Sequence, residues 1–400
     1  MTEAYICGAV RTPFGRYGGT LSTIRADDLA AVPIKALMKC NSRVDWSALD
    51  DVILGCANQA GENGCNVARL AVLLAGLPKE VPGVTVNRLC GSSLDAIGIA
   101  ARAIKSGEGS MLLAGGVESM SRAQVAFGQS EPLSPASDSR EGSMGWRFVD
   151  PRLKRCYGAC SMPEAAENVA EQFNVSRIDQ DRFALRSQRR WDRSQATGFF
   201  EREIVATPAS GAGGEFEMVR VDEPRRMDAN LDILSELKGV VREDGTVTAG
   251  NASCLSDGAA ALLLASEHAI AKYGLIPRAK VLVTVVLGLS PRIAGYGPVP
   301  ATRRALELVG LRLGDMDVIE INEAFASQCL AVIRGLGLPD EAEHVNSNGG
   351  AIAVGHPLGA SGARLVTTAI NQLEAVQGRF ALCTMCIGVG QGIATILERV

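Results

Sequence analysis

The sequence predicts an α/β protein with two similar halves and a polar segment inserted within the first. Apolar strand-like runs alternate with helix-like segments, a pattern typical of parallel strands covered by helices on both faces. A repeat relates the first and last parts of the chain, and a stretch rich in charged residues interrupts the alternation. The 400 residues exceed the length of most single domains, so we expect more than one core.

The strand-like runs carry few charges, and the segments between them have small and apolar residues at helical spacings of three and four. The predicted strands are AYICGAV, DDVILGC, SMLLAGG, AALLLAS, AKVLVTVV, DVIEIN and RFALCTMC. The predicted helices include LDAIGIAARAIKSG and GARLVTTAINQLEAV, together with AAENVAEQF and DQDRFALRSQRRWDR in the charged stretch.

Three pairs of positions share one offset of 266 residues: Asp51 and Asp317, Cys90 and His356, Ile104 and Ile370. The first pair opens the similar segments DVIL and DVIE, and the last pair lies in helix-like segments. This agreement favours a duplicated βα unit that places a reactive side chain at the same strand-to-helix turn in each copy.

The repeat and the change in composition divide the chain into three parts. Residues 1–120 with 249–270 form the predicted first half, residues 121–248 the insert, and residues 271–400 the second half. Four arginines of the insert are interpreted as a solvated helix face. They are Arg186, Arg189, Arg190 and Arg193.

Composition excludes several classes of protein. With 47% apolar and 21% charged residues, the chain has the balance of a well-buried globular protein. A net charge of −4 argues against a nucleic-acid partner, although a local basic patch could still bind phosphate. The absence of an apolar run of membrane length or of a signal peptide predicts no membrane association and a cytoplasmic location. The 11 irregularly spaced cysteines do not suggest a disulfide framework.

Two stretches place a reactive side chain where a helix begins. In TVNRLCGSSLDAI, Cys90 precedes a helix whose dipole would lower the thiol pKa, and Gly91 leaves room for a substrate. In NGGAIAVGHPLGASGAR, His356 follows a glycine-rich turn, and Pro357 suits a first helical position. The alternative for Cys90 is a structural thiol that fills a small buried site. The alternative for His356 is a core histidine whose ring is satisfied by hydrogen bonds.

Two further stretches end strands with polar groups. In ALCTMCIGVGQG, Cys386 ends a strand and Gly388 opens a glycine loop whose N–H groups can face a ligand oxygen. Cys383 and Cys386 also form C-x-x-C, so redox or zinc chemistry is the alternative there. In DVIEINEAFASQ, Asn322 could hold a water or polarise a carbonyl, or it could simply make a strand-end hydrogen bond.

Taken in order, the motifs NRLCGSSLDA, GTVTAGNAS, INEAFA, NGGAIAVGHPLGASGAR and CIGVGQG resemble those of the thiolase family along the whole chain. The resemblance implies two copies of a βαβαβαββ unit in a five-layered αβαβα core with an inserted loop domain. It also implies dimers or tetramers with two-fold symmetry.

The resemblance implies roles for the site residues. Cys90 would be the acylated nucleophile, and Cys386 the general acid and base. His356 would activate Cys90 and, with a water on Asn322, form one oxyanion hole. The N–H groups of Cys90 and Gly388 would form the second. No metal and no permanent cofactor are implied, since coenzyme A (CoA) is a co-substrate.

Three positions are matched to CoA binding: Ser253 in GNAS, Met162, and Arg226 in DEPRR. The segment DEPRR departs from the commoner family pattern, as do Ser93 and Cys254, each of which stands where glycine is usual.

The resemblance implies cleavage of a 3-ketoacyl-CoA by CoA. The stretches RTPFGRYGG, GCANQAGEN, MGWRFVDP and SMPEAAENVAEQF are most similar to 3-oxoadipyl-CoA thiolases, although Cys65 stands where that group has arginine. We therefore expect succinyl-CoA and acetyl-CoA as products. The alternatives are a general acetoacetyl-CoA thiolase (acetyl-CoA acetyltransferase) and a decarboxylating condensing enzyme.

Overall fold

The computed structural model describes residues 2–61, 64–123, 150–210, 216–223 and 229–400. In chain order its strands are β1 (Tyr5–Arg11), β2 (Gly15–Arg16), β3 (Asp51–Gly55), β4 (Val84–Val86), β5 (Met111–Ser119), β6 (Thr207–Ser210), β7 (Phe216–Val219), β8 (Ser256–Ala265), β9 (Ala279–Gly288), β10 (Val318–Ile321), β11 (Phe380–Ile387) and β12 (Gln391–Arg399). Its α-helices are α1 (Ala26–Cys40), α2 (Val67–Ala75), α3 (Ser92–Ser106), α4 (Pro151–Tyr157), α5 (Met162–Gln172), α6 (Arg177–Ala196), α7 (Leu231–Ser235), α8 (Glu267–Tyr273), α9 (Pro298–Val309), α10 (Ala326–Gly335), α11 (Ala351–Val354) and α12 (Leu358–Val376).

The two halves share one arrangement of strands. The order is β4-β3-β5-β8-β1 in the first half and β10-β11-β12-β9 in the second. The pairs β3–β5 and β10–β11 are parallel, whereas β5–β8, β8–β1, β11–β12 and β12–β9 are antiparallel. The halves meet where Tyr5 and Ile6 of β1 pair with Lys280 and Ala279 of β9. The predicted duplication is confirmed, with β3, α3 and β5 equivalent to β10, α12 and β11.

Helices and sheets alternate in five layers, as predicted. Helices α1 and α2 cover the outer face of the first half-sheet, and α9 and α10 pack on the outer side of the second. Helices α3 and α12 contact each other and strands of both halves, so they form the middle layer. Apolar residues fill each interface, which gives one core between the half-sheets and one outside each of them.

The middle helices approach closely near their N-terminal turns. Gly362 of α12 lies over Leu94 of α3, where an added Cβ would stand 2.5 Å from the Leu94 nitrogen. Glycine is therefore needed for this crossing. Since Cys90 and His356 each precede one of these turns, the crossing brings both residues toward one end of the middle layer.

A buried ion-pair network anchors the segment between β5 and β8 to the rest of the protein. Arg11 of β1 donates from Nε to Glu203 over 2.7 Å and binds both Asp222 oxygens over 2.6 and 2.9 Å. Glu203 also accepts hydrogen bonds from Thr368 and Asn371 of α12. Because the Arg11 and Asp222 side chains are fully buried, losing one partner would leave an uncompensated charge. Among the described residues, no helix has the length and apolar character needed to cross a bilayer.

Candidate active site

Cys90 lies in the turn between β4 and α3. Leu89 adopts a left-handed backbone conformation with φ of 48°. The Ser92 hydroxyl stabilises this turn, since it accepts the Arg88 N–H over 2.9 Å and donates to the Leu89 carbonyl over 2.6 Å. The Cys90 side chain is thereby held just before the first turn of α3, with 8% of the residue exposed.

Burial decides the protonation of Cys90. It raises the thiol pKa to about 11, and a hydrogen bond from the Gly388 N–H opposes the rise without cancelling it. The predicted lowering of this pKa by the helix dipole is therefore wrong for the free protein, because desolvation of the thiolate outweighs the dipole. Cys90 consequently needs a base, or a bound substrate, before it can act as a thiolate.

His356 lies at the equivalent turn of the second half. Gly355 precedes it with φ of 100°, and a Cβ there would stand 2.2 Å from the Ser256 hydroxyl, so glycine is required. The His356 N–H donates to the Cys254 carbonyl over 3.0 Å. On the ring, Nδ1 lies 2.6 Å from the Ser361 hydroxyl and Nε2 lies 3.3 Å from the Asn322 amide nitrogen.

These contacts define a neutral imidazole. Burial, together with the charge of Arg364, lowers the His356 pKa to about 3. Because the Ser361 hydroxyl donates to the Pro357 carbonyl over 3.0 Å, its oxygen is available to accept a hydrogen bond from the Nδ1–H group. Nε2 then carries the lone pair and accepts a hydrogen bond from the Asn322 amide N–H.

Asn322 lies immediately after β10, where its N–H donates to the Thr384 carbonyl over 3.0 Å. Its side chain is fully buried, and its Oδ1 has no hydrogen-bond partner within the described chain. A buried acceptor of this kind is usually satisfied by an ordered water. The structure therefore favours a polar subsite beside the imidazole over a simple strand-end hydrogen bond.

Cys386 and Gly388 lie where β11 turns into β12. Burial and the neighbouring Cys90 raise the pKa of the Cys386 thiol well above its ordinary value. A Cβ on Gly388 would stand 3.2 Å from Leu89 and 3.5 Å from the sulfur of Met162. The glycine loop therefore packs against the Cys90 turn and against the first residue of α5.

Cys383 and Cys386 do not form a working C-x-x-C pair. They are three residues apart in β11, so their side chains point to opposite faces of the sheet. Cys383 lies in the core between the half-sheets. In the part of the chain that the structure describes, no three His, Cys, Asp or Glu residues are grouped to hold a metal ion.

Comparisons with known proteins agree with this geometry. Residues 4–268 match the family described as "Thiolase, N-terminal domain", and residues 275–399 match "Thiolase, C-terminal domain". The chain belongs to the thiolase family. Over the full length of both chains, this thiolase is 58% identical to "Beta-ketoadipyl-CoA thiolase" of Acinetobacter baylyi and 57% identical to "3-oxoadipyl-CoA/3-oxo-5,6-dehydrosuberyl-CoA thiolase" of Escherichia coli.

Solved structures of thiolases share the fold. Human mitochondrial 3-ketoacyl-CoA thiolase is 38% identical and superposes with a TM-score of 0.91, covering 100% of this chain and 99% of the other. The same human enzyme in complex with CoA gives a TM-score of 0.90 at 38% identity, with 100% and 98% covered.

Two of the three predicted CoA-binding residues of this thiolase lie close to the reactive centre. Met162 opens α5 beside Gly388, where Ser161 caps the helix in a reciprocal pair with Glu164. Ser253 directs its N–H and its hydroxyl at the Ala324 carbonyl over 3.0 and 3.1 Å, one residue before Cys254. Arg226 lies outside the described residues.

Two positions that depart from the family pattern are accommodated by hydrogen bonds. The Ser93 hydroxyl accepts the Ala363 N–H over 2.9 Å, which links α3 to α12. The Cys254 thiol lies 3.1 Å from the Ser256 hydroxyl, beside the His356 turn. Neither side chain removes a group of the site. Cys65 is exposed in the loop before α2.

Two polar residues of the site, Ser361 and Glu118, were not predicted from the sequence. Ser361 fixes the His356 ring, and only its i+5 spacing from the histidine could have indicated this. Glu118 is fully buried at the end of β5 and accepts backbone N–H groups from Ala57, Asn58 and Gly359 over 2.9 Å each. An acidic residue within the apolar run MLLAGGVES was the available signal.

Proposed function

We propose that this thiolase cleaves 3-oxoadipyl-CoA with CoA to give succinyl-CoA and acetyl-CoA. The observation that carries the catalytic part is the packing of the Gly388 loop against the Cys90 turn, which places two thiols of different burial at one centre. The substrate is inferred from the full-length relatives named for β-ketoadipyl-CoA and 3-oxoadipyl-CoA.

The first half-reaction acylates Cys90. His356 takes the thiol proton on Nε2 as the Cys90 sulfur attacks the C3 carbonyl carbon of the substrate. The C2–C3 bond then breaks, and its electron pair passes to C2 of the departing acetyl-CoA enolate. Cys386 donates its proton to C2, which releases acetyl-CoA and leaves a succinyl thioester on Cys90.

The second half-reaction returns every group to its starting state. The Cys386 thiolate takes the proton of the incoming CoA thiol, whose sulfur attacks the succinyl carbonyl. The tetrahedral intermediate collapses with departure of the Cys90 sulfur, which regains its proton from His356. A buried neutral imidazole suits this exchange, because charge arises on it only while an anion is present beside it.

Negative charge develops at two oxygens in this cycle, and the site offers two sets of donors. The protonated Nε2 of His356 and a water held by Asn322 Oδ1 would stabilise the thioester oxygen of the enolate. The N–H groups of Cys90 and Gly388 would stabilise the oxyanion of the tetrahedral intermediates. Support for the second set comes from the Gly388 N–H, which already points at the Cys90 sulfur.

We assign residues 121–248 as the CoA-binding insert between the halves formed by residues 1–120 with 249–270 and residues 271–400. Ser253 and Met162 would contact the pantetheine arm and Arg226 the nucleotide. Apolar side chains exposed on the described part of the insert include Ile233, Val240 and Val241, which suits an organic ligand lying across it. CoA is a substrate in this scheme rather than a resident cofactor. We place the enzyme in the cytoplasm as a homodimer or homotetramer.

Thiolysis assays test this function. With CoA, 3-oxoadipyl-CoA should be cleaved with a higher kcat/KM than acetoacetyl-CoA, and initial rates should follow ping-pong kinetics. Preference for acetoacetyl-CoA would favour the general thiolase instead. Turnover of a malonyl thioester without cleavage of any 3-ketoacyl-CoA would favour a decarboxylating condensing enzyme and contradict the proposal.

A further inference from the structure

A cleft lined by arginines lies along α6, and none of its lining residues belongs to the candidate active site. It has a volume of about 430 Å³ and runs between α6, Leu231 of α7, and the loop at Asp340 and Glu341. We call it the arginine cleft. Its cationic residues are Arg182, Arg186, Arg189, Arg190 and Arg193.

Backbone carbonyls fix three of these arginines in place. Arg186 donates to the Asp340 carbonyl and lies with its guanidinium carbon 4.7 Å from the centre of the Phe183 ring. Arg190 donates to the carbonyls of Val345 and Asn346, and Arg193 to that of Ser347 over 3.0 Å. The interpretation of Arg186 and Arg190 as a solvated helix face is therefore wrong, because both are half-buried against this loop.

The protein only partly offsets the positive charges of the cleft: Asp340 and Glu341 line it, and Glu323 acts on Arg186 from nearby. Within the described ranges, none of the five arginines forms a salt bridge with a carboxylate. The nearby Asp179 and Asp340 both bind Arg334 instead, over 2.9 and 2.7 Å, while Glu341 is exposed. Burial lowers the pKa of Arg190, and the charges of Arg186 and Arg193 lower it further, while the carboxylates of Glu323 and Glu343 oppose this shift. Like charges held together in this way are relieved by an anion.

The size and shape of the cleft limit the kind of anion. Arg182 and Arg193 are separated by eleven helical steps, which span about 16 Å along α6. Guanidinium groups recognise phosphate oxygens in a bidentate manner, so arginines spread over such a distance suit several phosphates better than one carboxylate. The volume lies within the range typical of small-molecule sites.

We propose that the arginine cleft binds a small anion that carries several linked phosphates, at a site separate from the thiolase centre. The inference is independent of the substrate assigned above. The protein as a whole has a net charge of −4, so its overall charge does not favour such an anion and the local cluster must supply the affinity.

Isothermal titration of the full-length protein with inorganic tripolyphosphate tests the proposal. Saturable binding with Kd below about 1 mM is expected in dilute buffer, weakening steeply with added salt. Replacing the exposed Arg182, Arg189 and Arg193 by glutamine should weaken binding at least about tenfold, because charge-assisted contacts are lost. The matched control replaces the exposed Lys39, Arg202 and Arg220 by glutamine, which makes the same change in net charge.

A parallel titration with metal-free ATP distinguishes the sources of the phosphates. Binding equal to that of tripolyphosphate indicates recognition of the phosphate chain alone, and tighter binding indicates a nucleotide; either supports the site. No saturable binding, or equal weakening in both triple variants, would overturn it. Thiolysis assays test whether the arginine cleft is separate from the CoA site. The KM for CoA should be unchanged in the variant that lacks Arg182, Arg189 and Arg193. A rise in KM confined to that variant would make the cleft part of the CoA site.

Discussion

Cys90 and Cys386 are both buried, yet their surroundings differ, which agrees with the different tasks that we propose for them. Gly388 donates to the Cys90 sulfur, whereas Cys386 ends a strand and acquires a pKa well above the usual range. Replacing Cys386 by serine should leave acylation of Cys90 by acetyl-CoA detectable while suppressing exchange of the acetyl α-protons with solvent, since a hydroxyl is a far weaker acid than a thiol. Proton NMR in deuterium oxide measures the exchange.

Cys383 provides the matched control for this experiment. It lies three residues earlier in β11 and points into the core between the half-sheets, so Cys383→Ser should retain the exchange. Parental exchange in Cys386→Ser would contradict the division of labour. Alkylation gives a second readout: when the two thiols are compared by peptide mapping, limiting iodoacetamide should label Cys90 before Cys386, and acetyl-CoA should protect Cys90.

His356 should make stability depend on pH. Its pKa is about 3 in the folded protein against an ordinary value of 6.5, so between these values the unfolded chain binds one more proton. The free energy of unfolding contributed by this residue is complete above pH 6.5 and falls as pH drops below it. Between pH 7.5 and pH 5 the loss should be about 2 kcal/mol.

The variant His356→Asn should lack this loss. Urea unfolding at the two pH values measures the difference between variant and parent, which cancels contributions from other titrating groups. His268→Asn, at an exposed position of α8, is the control and should keep the parental pH dependence. If His356→Asn loses as much stability at pH 5 as the parent does, the imidazole is not held neutral.

At the residue scale, the positions of the candidate residues were easier to predict than their protonation states. Cys90 and His356 stand out because each occupies a strand-to-helix turn in a repeat, a feature visible in the chain alone. The protonation of Cys90 was not predictable, because it depends on how deeply the second half of the chain buries the thiol. Ser361 was missed for a similar reason, since its partner is selected by the three-dimensional turn rather than by a motif.

At the scale of elements, a hydrogen bond between α3 and α12 fixes the distance between the Cys90 turn and the His356 turn. The Ser93 hydroxyl accepts the Ala363 N–H in a fully buried contact. Changing Ser93 to glycine should lower the free energy of unfolding by about 1–2 kcal/mol, from the lost hydrogen bond and the lower helix propensity of glycine. Denaturant unfolding measures it.

Ser106 at the exposed end of the same helix is the control, and Ser106→Ala should change stability by less than about 0.5 kcal/mol. If Ser93 also positions the turns, Ser93→Gly should slow acylation of Cys90 in single-turnover measurements with no matching rise in the KM for CoA. An unchanged stability would show that the Ser93–Ala363 bond contributes nothing to the crossing.

Sequence patterns were sufficient to predict the long strands. All seven predicted strands are present, because long apolar runs bounded by turns have few alternatives. Five strands of the described chain were not among the predicted runs: β2, β4, β6, β7 and β12. The first four have two to four residues each and are too brief for a pattern. Strand β12 is interrupted by polar Thr395 and by the charged residues near its end.

At the scale of the whole molecule, the first half-sheet ends in an edge that no further described strand pairs with. Strand β4 has one neighbour, β3, and Val84 on it is 40% exposed. An apolar strand edge of this kind is normally covered, so we expect it to pair with its equivalent in a second subunit. Light scattering at micromolar concentration should give at least twice the chain mass of 42.0 kDa, and a mass of 42.0 kDa would contradict the expected assembly.

The overall architecture was predictable because the same βα unit occurs in both halves of the chain, so each half supports the interpretation of the other. The arginine cleft was not, since Arg186 and Arg190 look like surface residues until the loop at Asp340 is placed beside α6. Charge patterns along a helix indicate which face is polar, but not which other segment will lie against that face.

The central claim is that Cys90 carries the acyl group of a cleaved 3-ketoacyl-CoA. Its most direct test is mass spectrometry of the protein mixed with 3-oxoadipyl-CoA in the absence of free CoA, followed by peptide mapping. The predicted result is one succinyl group per chain, located on Cys90, with release of one acetyl-CoA and loss of the adduct when CoA is added. Succinylation of Cys386 or of another residue, or cleavage without any adduct on Cys90, would contradict the account.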